Sequence, residues 1–419
     1  MRIALYNLTT TTKIGGVESL VWDIGQRLAE RGHAVTLFGG NGPVQRALPH
    51  VQVLRYPYIA RETWGRAAPL RKSLNLLKLL ERMSMATRAL PDLLAGGFDI
   101  VQVFKPYDFP VMAWARKASG ARGIYSSHGT DYFPGDVLFR RSIDGAFACS
   151  RYNAAMTEAR YHIPVGVAYN GFDETVFQPI APDPALRARF APNGAPLLLF
   201  AGRLVTFKGI DHLLDALALL NGRLEAGDGR LAGRQPQISD AHPPAFGLRH
   251  HVAARISPTL TSQVPASGVH LLLIGDGPHR ASLERRVAEL ELSDRVSFAG
   301  SQPHAELPRY YAIADAFVIP STDHETFSIA ACEAMSCERP VVGTRVGGLP
   351  EVVRDGETGF LVPPGDSAAL AQRIGTLLDD WALRERMGAA GREWTLRMFT
   401  WDRVIARMIA CYEQVLEQS

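Results

Sequence analysis

The chain has 419 residues, 47% of them hydrophobic and 21% charged, with a formal net charge of +3. These proportions suit a soluble globular chain long enough for two domains, and so small a charge argues against nucleic acid as a partner. Four cysteines (Cys149, Cys332, Cys337 and Cys411) lack the spacing of a metal or redox site, so reduced structural thiols in a cytoplasmic protein are the expectation. Residues 1–7 turn polar too early for a leader peptide, and no apolar run approaches a membrane span. Any membrane contact is therefore expected to be peripheral.

Residues 2–7 read as a buried strand and 35–38 as the next. Between them Val17, Leu20, Val21, Ile24 and Leu28 recur at helical spacing, and Gly32-His33 closes that helix. Such a βαβ opening favours a parallel, doubly wound sheet. The loop entering the helix carries Gly15-Gly16-Val17-Glu18. Paired glycines let backbone N–H groups approach a ligand, and the helix N-terminus adds positive potential. A plain turn is the alternative reading.

Residues 61–90 are basic: Arg61, Arg66, Arg71, Lys72, Lys78, Arg82 and Arg88 stand against Glu62 and Glu81. Leu70, Leu74, Leu77, Leu80 and Met83 form a helical apolar stripe. A helix of this kind can lie on an anionic membrane surface. The alternative is packing on its own sheet with the charges in water. Further strands follow at 98–104 and 123–127, the second running into His128-Gly129. A histidine there lies on the ligand edge of a parallel sheet, where a neutral imidazole can orient a substrate. A structural histidine is the alternative.

Pro179, Pro182, Pro184, Pro192 and Pro196 mark a boundary between a first domain, 1–178, and a second, 179–400. Residues 197–200 open a second sheet, followed by Gly202-Arg203, by Lys208-Gly209, and by a helix through Leu213, Leu214 and Leu217. Arg203 and Lys208 flank a strand-to-helix loop, a place for two cations to neutralise a diphosphate; solvated surface charges are the alternative. Residues 221–268, rich in proline and glycine, read as an irregular insertion. Strand 270–274 then ends in the turn Gly275-Asp276-Gly277-Pro278.

The stretch 323–335 draws the rest together. A buried strand, 316–320, precedes it, and Phe327, Ile329, Ala330 and Ala334 read as a helix beginning just after Glu325. Eight residue steps of helix separate Glu325 from Glu333 by roughly 12 Å. That is too far to share a proton or a metal, but it fits two ends of one long polar ligand, with helix N–H groups between them for an anion. A nucleotide-sugar has that shape. The plain alternative is a dipole-favoured Glu325 and a surface Glu333.

In this order, Gly15-Gly16-Val17-Glu18, Ser127-His128-Gly129, Asn170-Gly171, Gly202-Arg203-Leu204, Lys208-Gly209, Gly275-Asp276-Gly277-Pro278, the glutamate pair and Gly347-Gly348-Leu349-Pro350-Glu351 resemble the retaining glycosyltransferases of the GT-B fold, family 4 (glycosyl transferases group 1). The resemblance implies an α/β architecture of two Rossmann-like doubly wound parallel sheets facing a cleft, with a C-terminal helix, 401–419, crossing back onto the first domain. It implies that Arg203 and Lys208 bind the donor diphosphate, Glu333 the ribose and Glu325 the sugar hydroxyls. Backbone N–H groups of Phe327, Ser328 and Ile329, and the turn at Gly275 and Gly277, would lie near the nucleotide. Gly16 would approach the phosphates and His128 the sugar. No metal or other cofactor is implied.

The implied function is transfer of a hexose-type sugar from a UDP- or GDP-sugar to a hydroxyl acceptor. That acceptor would be a lipid-linked or polysaccharide intermediate of cell-envelope glycan synthesis, met at the inner membrane face. The alternatives are an epimerase of the same fold and a non-catalytic nucleotide-sugar-binding protein. Ser328 departs from the pattern, standing where the family often has glycine.

Overall fold

The computed structural model describes residues 1–13, 15–44, 46–66, 73–129, 131–222 and 268–418. The first domain supplies β1 (Arg2–Tyr6), β2 (Ala34–Gly40), β3 (Val51–Tyr56), β4 (Ile100–Val103), β5 (Arg122–Ser127), β6 (Gly145–Ala148) and β7 (Gly166–Val167). The second supplies β8 (Leu197–Ala201), β9 (His270–Ile274), β10 (Val296–Gly300), β11 (Ala316–Ile319), β12 (Val341–Thr344) and β13 (Gly359–Val362). They form one sheet ordered β3-β2-β1-β4-β5-β6-β7 and another ordered β10-β9-β8-β11-β12-β13. Neighbouring strands pair in parallel throughout both sheets. Their central strands are short apolar runs, as befits sheets covered by helices on both faces.

The strand order reverses between β1 and β4 in the first sheet and between β8 and β11 in the second. At such a point the connections leave in opposite directions and open a crevice beyond the strands' carboxyl ends. Both crevices carry residues singled out from the sequence: His128 follows β5, Arg203 and Lys208 follow β8, and Glu325 follows β11.

Several contacts among the described residues join the domains, and three show how. Glu351 accepts hydrogen bonds from the backbone N–H groups of Arg151 (2.8 Å) and Tyr152 (2.9 Å). These are the first amides of helix Arg151–Tyr161, otherwise without helical partners, so a carboxylate of one domain caps a helix of the other. Thr326 Oγ1 donates to the His128 carbonyl at 3.3 Å. The third is helix Trp401–Glu417, whose Val404, Ile405, Met408 and Tyr412 share a core with Ile3, Leu5 and Ile24 of the first domain. A side chain on Gly171 would place its Cβ 2.5 Å from the Trp401 ring, so that contact requires glycine.

Some local expectations need correction. The helix after Glu325 runs Ile329–Ser336 and starts later than the apolar spacing suggested, because Ser328 has φ +88° and cannot continue a right-handed helix. Of the stripe Leu74–Leu77–Leu80–Met83, helix Leu74–Ala95 buries Leu77 and packs Met83 on the core, but its buried face also takes in Met85, Ala86, Ala89 and Leu93. Leu74 is 57% exposed. Arg82, counted among the basic face, is buried in an ion pair with Asp108 and also donates to Asn7 Oδ1 at 3.3 Å. Glu81 is buried too, accepting from the Arg61 N–H at 3.1 Å. Leu70, Arg71, Lys72 and 223–267 of the insertion lie outside the described residues.

Candidate active site in the interdomain cleft

In the second domain three glycine turns nest against each other at the carboxyl edge. The Gly202 N–H donates to the Ile274 carbonyl (2.9 Å), and the Gly275 N–H to the Gly300 carbonyl (2.8 Å). A Cβ on Gly275 would lie 1.9 Å from the Gly202 oxygen, and one on Gly277 would lie 2.3 Å from the Leu204 oxygen. Close backbone approach, rather than freedom of φ alone, accounts for these glycines. The turn sets Arg203, an exposed side chain, on the cleft wall.

Lys208 Nζ lies 2.6 Å from Glu325 Oε2, and Ser321 Oγ donates to the same oxygen at 2.9 Å. Glu325 is 6% exposed. Its loop is pinned from behind, since the Gly348 N–H donates to the Glu325 carbonyl at 2.8 Å and a Cβ on Gly347 would lie 2.0 Å from that oxygen. The first turn of helix Ile329–Ser336 leaves backbone N–H groups without intrahelical acceptors. Ser328, with its Oγ buried and unpartnered, holds a conformation that strains any residue but glycine by about 1–2 kcal/mol. The Phe327 side chain is core, packed on Tyr169 and Phe399.

Glu333 is no surface residue: it is 3% exposed. Its Oε1 lies 2.6 Å from His304 Nε2, and Tyr311 donates its hydroxyl to Oε2 at 3.2 Å. The hydrogen bond to Glu333, opposed by burial, raises the His304 pKa, while burial above all keeps the Tyr311 hydroxyl protonated. Sequence reading missed His304 and Tyr311. Neither belongs to a local motif, and only the fold brings them to Glu333.

A cavity of about 650 Å³ joins the domains, within the usual size range of ligand pockets. Gly15 and Gly16, at the start of helix Gly16–Glu30, form its first-domain wall with Asp23, Arg27 and Arg46. Arg203, Gly275, Ile329, His304 and Glu333 form the opposite wall. Of the residues picked from the sequence, the cavity thus unites Gly16, Arg203, Gly275, Ile329 and Glu333. Lys208, Glu325, His128, Gly277, Phe327 and Ser328 are outside its lining.

The His128 ring is held at both nitrogens. It lies 3.0 Å from Asn170 Oδ1 and 2.7 Å from Ser126 Oγ. An amide oxygen only accepts, which puts the proton on Nδ1 and leaves Nε2 to accept from the serine. Burial first, and the Lys105 charge second, lower the His128 pKa to about 3, so the ring is neutral throughout the physiological range. Among the described residues no group of three or more His, Cys, Asp or Glu side chains is placed to hold a metal ion.

Two parallel-sheet domains around such a cleft define the architecture of GT-B glycosyltransferases, and solved structures agree. Sucrose-phosphate synthase from Thermosynechococcus elongatus superposes with a TM-score of 0.73 over all of both chains at 23% identity. The Anabaena protein HepE in complex with UDP and glucose gives 0.68 over 98% of both chains at 20% identity. Family models for "Glycosyltransferase Family 4" and "Glycosyl transferases group 1" match residues 14–176 and 252–394.

A GDP-mannose-dependent α-(1-6)-phosphatidylinositol monomannoside mannosyltransferase of Mycolicibacterium smegmatis is 31% identical over 70% of each chain. An MMP α-(1→4)-mannosyltransferase of Mycolicibacterium hassiacum is 28% identical over 99% of this chain and 98% of its own. The chain belongs to family 4 of the glycosyltransferases and is an enzyme of that class.

The His128 assignment has a measurable consequence. The native ring resists protonation down to about pH 3, whereas an unfolded histidine protonates near pH 6.5. The stability it contributes is therefore complete above pH 6.5 and declines as pH falls towards 3, by about 1.4 kcal/mol per pH unit. Urea unfolding at pH 7.0 and pH 5.0 should show this loss in the wild type and its reduction in His128→Asn. Equal pH dependence in the two proteins would refute a neutral His128.

Proposed function

We propose that this enzyme transfers a hexose, with retention of anomeric configuration, from a nucleoside diphosphate sugar to a hydroxyl acceptor, and that GDP-mannose is its donor. The cavity carries this reading: a helix N-terminus with paired glycines faces Arg203 and the buried Glu333 across one space of nucleotide size. The donor base follows the GDP-mannose dependence of the M. smegmatis relative. On this reading Glu333 takes the ribose hydroxyls, with His304 giving way, and the diphosphate lies between the Gly15-Gly16 turn and Arg203. Glu325 takes hydroxyls of the sugar, with Lys208 beside the departing phosphate.

The bond from the anomeric carbon to the phosphate oxygen breaks as the acceptor oxygen bonds to that carbon on the same face. The acceptor proton goes to the leaving phosphate. Negative charge grows on the diphosphate in the transition state, and fixed cations and N–H dipoles lower that barrier without reorganising. No protein nucleophile is needed.

Lys208→Ala and Glu325→Ala should each lower transfer at least tenfold while both proteins still bind GDP. GDP-mannose should raise the thermal midpoint more than UDP-glucose, since a ligand of the folded state alone stabilises it. Wild-type turnover in both variants would overturn the site. Preferential stabilisation by UDP-sugars would overturn the donor, and free epimerised monosaccharide without transfer would point to an epimerase.

The acceptor proposed is a lipid-linked or polysaccharide intermediate, met with the first domain against a lipid surface. Supporting this are apolar side chains left exposed on packed neighbours: Leu74 on helix Leu74–Ala95, Trp114 on helix Phe109–Ser119, and Leu138 (81% exposed) beside Arg140 and Arg141. Among the described residues no helix is long and apolar enough to cross a membrane. Sedimentation with phosphatidylglycerol vesicles should fall at least threefold in the double variant Leu74→Asp/Leu138→Asp. Unchanged sedimentation would remove the lipid surface from the account.

A further inference from the structure

The donor reading leaves the reversal point of the first sheet unused. There Asn7 follows β1 and Phe104-Lys105 follows β4, two neighbouring strands whose ends open the crevice. Most charges around it are satisfied. Arg82 is taken by Asp108 and Asn7, and Lys78 by Asp131 at 2.8 Å. Lys105 differs. Among the described residues no hydrogen bond or ion pair takes its ammonium, and the half-buried side chain is enclosed enough for burial, reinforced by the Arg82 charge, to lower its pKa.

Asp131 and Glu18 act on Lys105 only from beyond hydrogen-bonding distance, and its charge reaches the His128 ring in turn. Because β4 lies between β1 and β5, Lys105 stands on the ligand edge of the sheet, between the connection that leaves β1 towards Gly15-Gly16-Val17-Glu18 and His128 after β5. An ammonium held partly out of water without a partner is less stable than a fully solvated one. Arg82 shows how the fold satisfies a neighbouring buried cation with its own carboxylate; for Lys105 the described residues supply none.

We propose that Lys105 is a binding residue for a phosphate carried by the acceptor, placing the attacking hydroxyl towards His128 and the donor. This rests on the reading of the cleft as a glycosyltransferase site. Phosphate on a soluble sugar or polyol and the phosphodiester of a lipid headgroup present the same oxyanion, which the lone ammonium would complete by a charge-assisted hydrogen bond.

The test measures binding to the full chain with GDP saturating the donor site, so that added phosphate cannot occupy it. The probes are inorganic phosphate, myo-inositol 1-phosphate and vesicles containing phosphatidylinositol. Lys105→Met should weaken binding of the recognised phosphate probes about tenfold or more. Lys105→Arg should keep most of it, GDP affinity should not change in either variant, and the unliganded thermal midpoint of Lys105→Met should not fall.

Binding of the soluble phosphates alone supports a free sugar or polyol phosphate as acceptor. Vesicle binding that persists in the Leu74→Asp/Leu138→Asp background and is lost with Lys105→Met, without binding of the soluble phosphates, supports a lipid headgroup. Wild-type protein that binds no phosphate probe, a Lys105→Met variant that binds as well as wild type, or a midpoint lowered by several degrees would each overturn the proposal. Phosphate binding that depends on Lys105 in a protein unable to bind GDP would leave this site standing and count against the donor reading instead.

Discussion

In a parallel sheet every strand ends on the same edge, and this protein sets two such edges against one another. That constraint decides where chemistry can occur. The two order reversals, β1/β4 and β8/β11, put crevices on facing walls, so residues 16 and 203, far apart in sequence, line one cavity. The facing must be held, and local contacts hold it. A carboxylate of one domain caps a helix of the other at Glu351, while helix Trp401–Glu417 returns to share the first domain's core. The cap ties the two edges where the His128 and Glu325 loops meet.

The second organising fact is that both key carboxylates are buried and already satisfied. Glu325 has Lys208 and Ser321; Glu333 has His304 and Tyr311. A buried carboxylate left alone would be strongly destabilising, so the free protein neutralises each one internally. A polyhydroxylated ligand can replace or share those partners, because hydroxyl groups donate in the same places. Under the proposed donor reading the site is arranged before the ligand arrives, and binding would exchange hydrogen bonds rather than create charge.

Much of this was readable in the sequence, and the reasons differ by feature. The α/β alternation was legible because central strands buried on both faces are continuous apolar runs, as at His270–Ile274. The glycine turns were legible because a Cβ at Gly275 or Gly347 would lie within about 2 Å of a backbone oxygen, which leaves glycine as the residue that fits. Three-dimensional partnerships were not. Nothing near Glu333 in sequence announces His304, twenty-nine positions away, and nothing in a basic stretch distinguishes the buried Arg82 from its solvated neighbours. The late start of helix Ile329–Ser336 was hidden as well, since serine rarely takes the left-handed conformation that Ser328 adopts.

The central claim is that one ligand bridges the two sheet edges. Amide hydrogen exchange with and without GDP-mannose tests it most directly, because a ligand that orders both walls slows local opening in both. The account predicts added protection in the Gly15-Gly16-Val17 turn together with 202–209 and 325–333. Protection confined to the second domain, or absent from both, would contradict it.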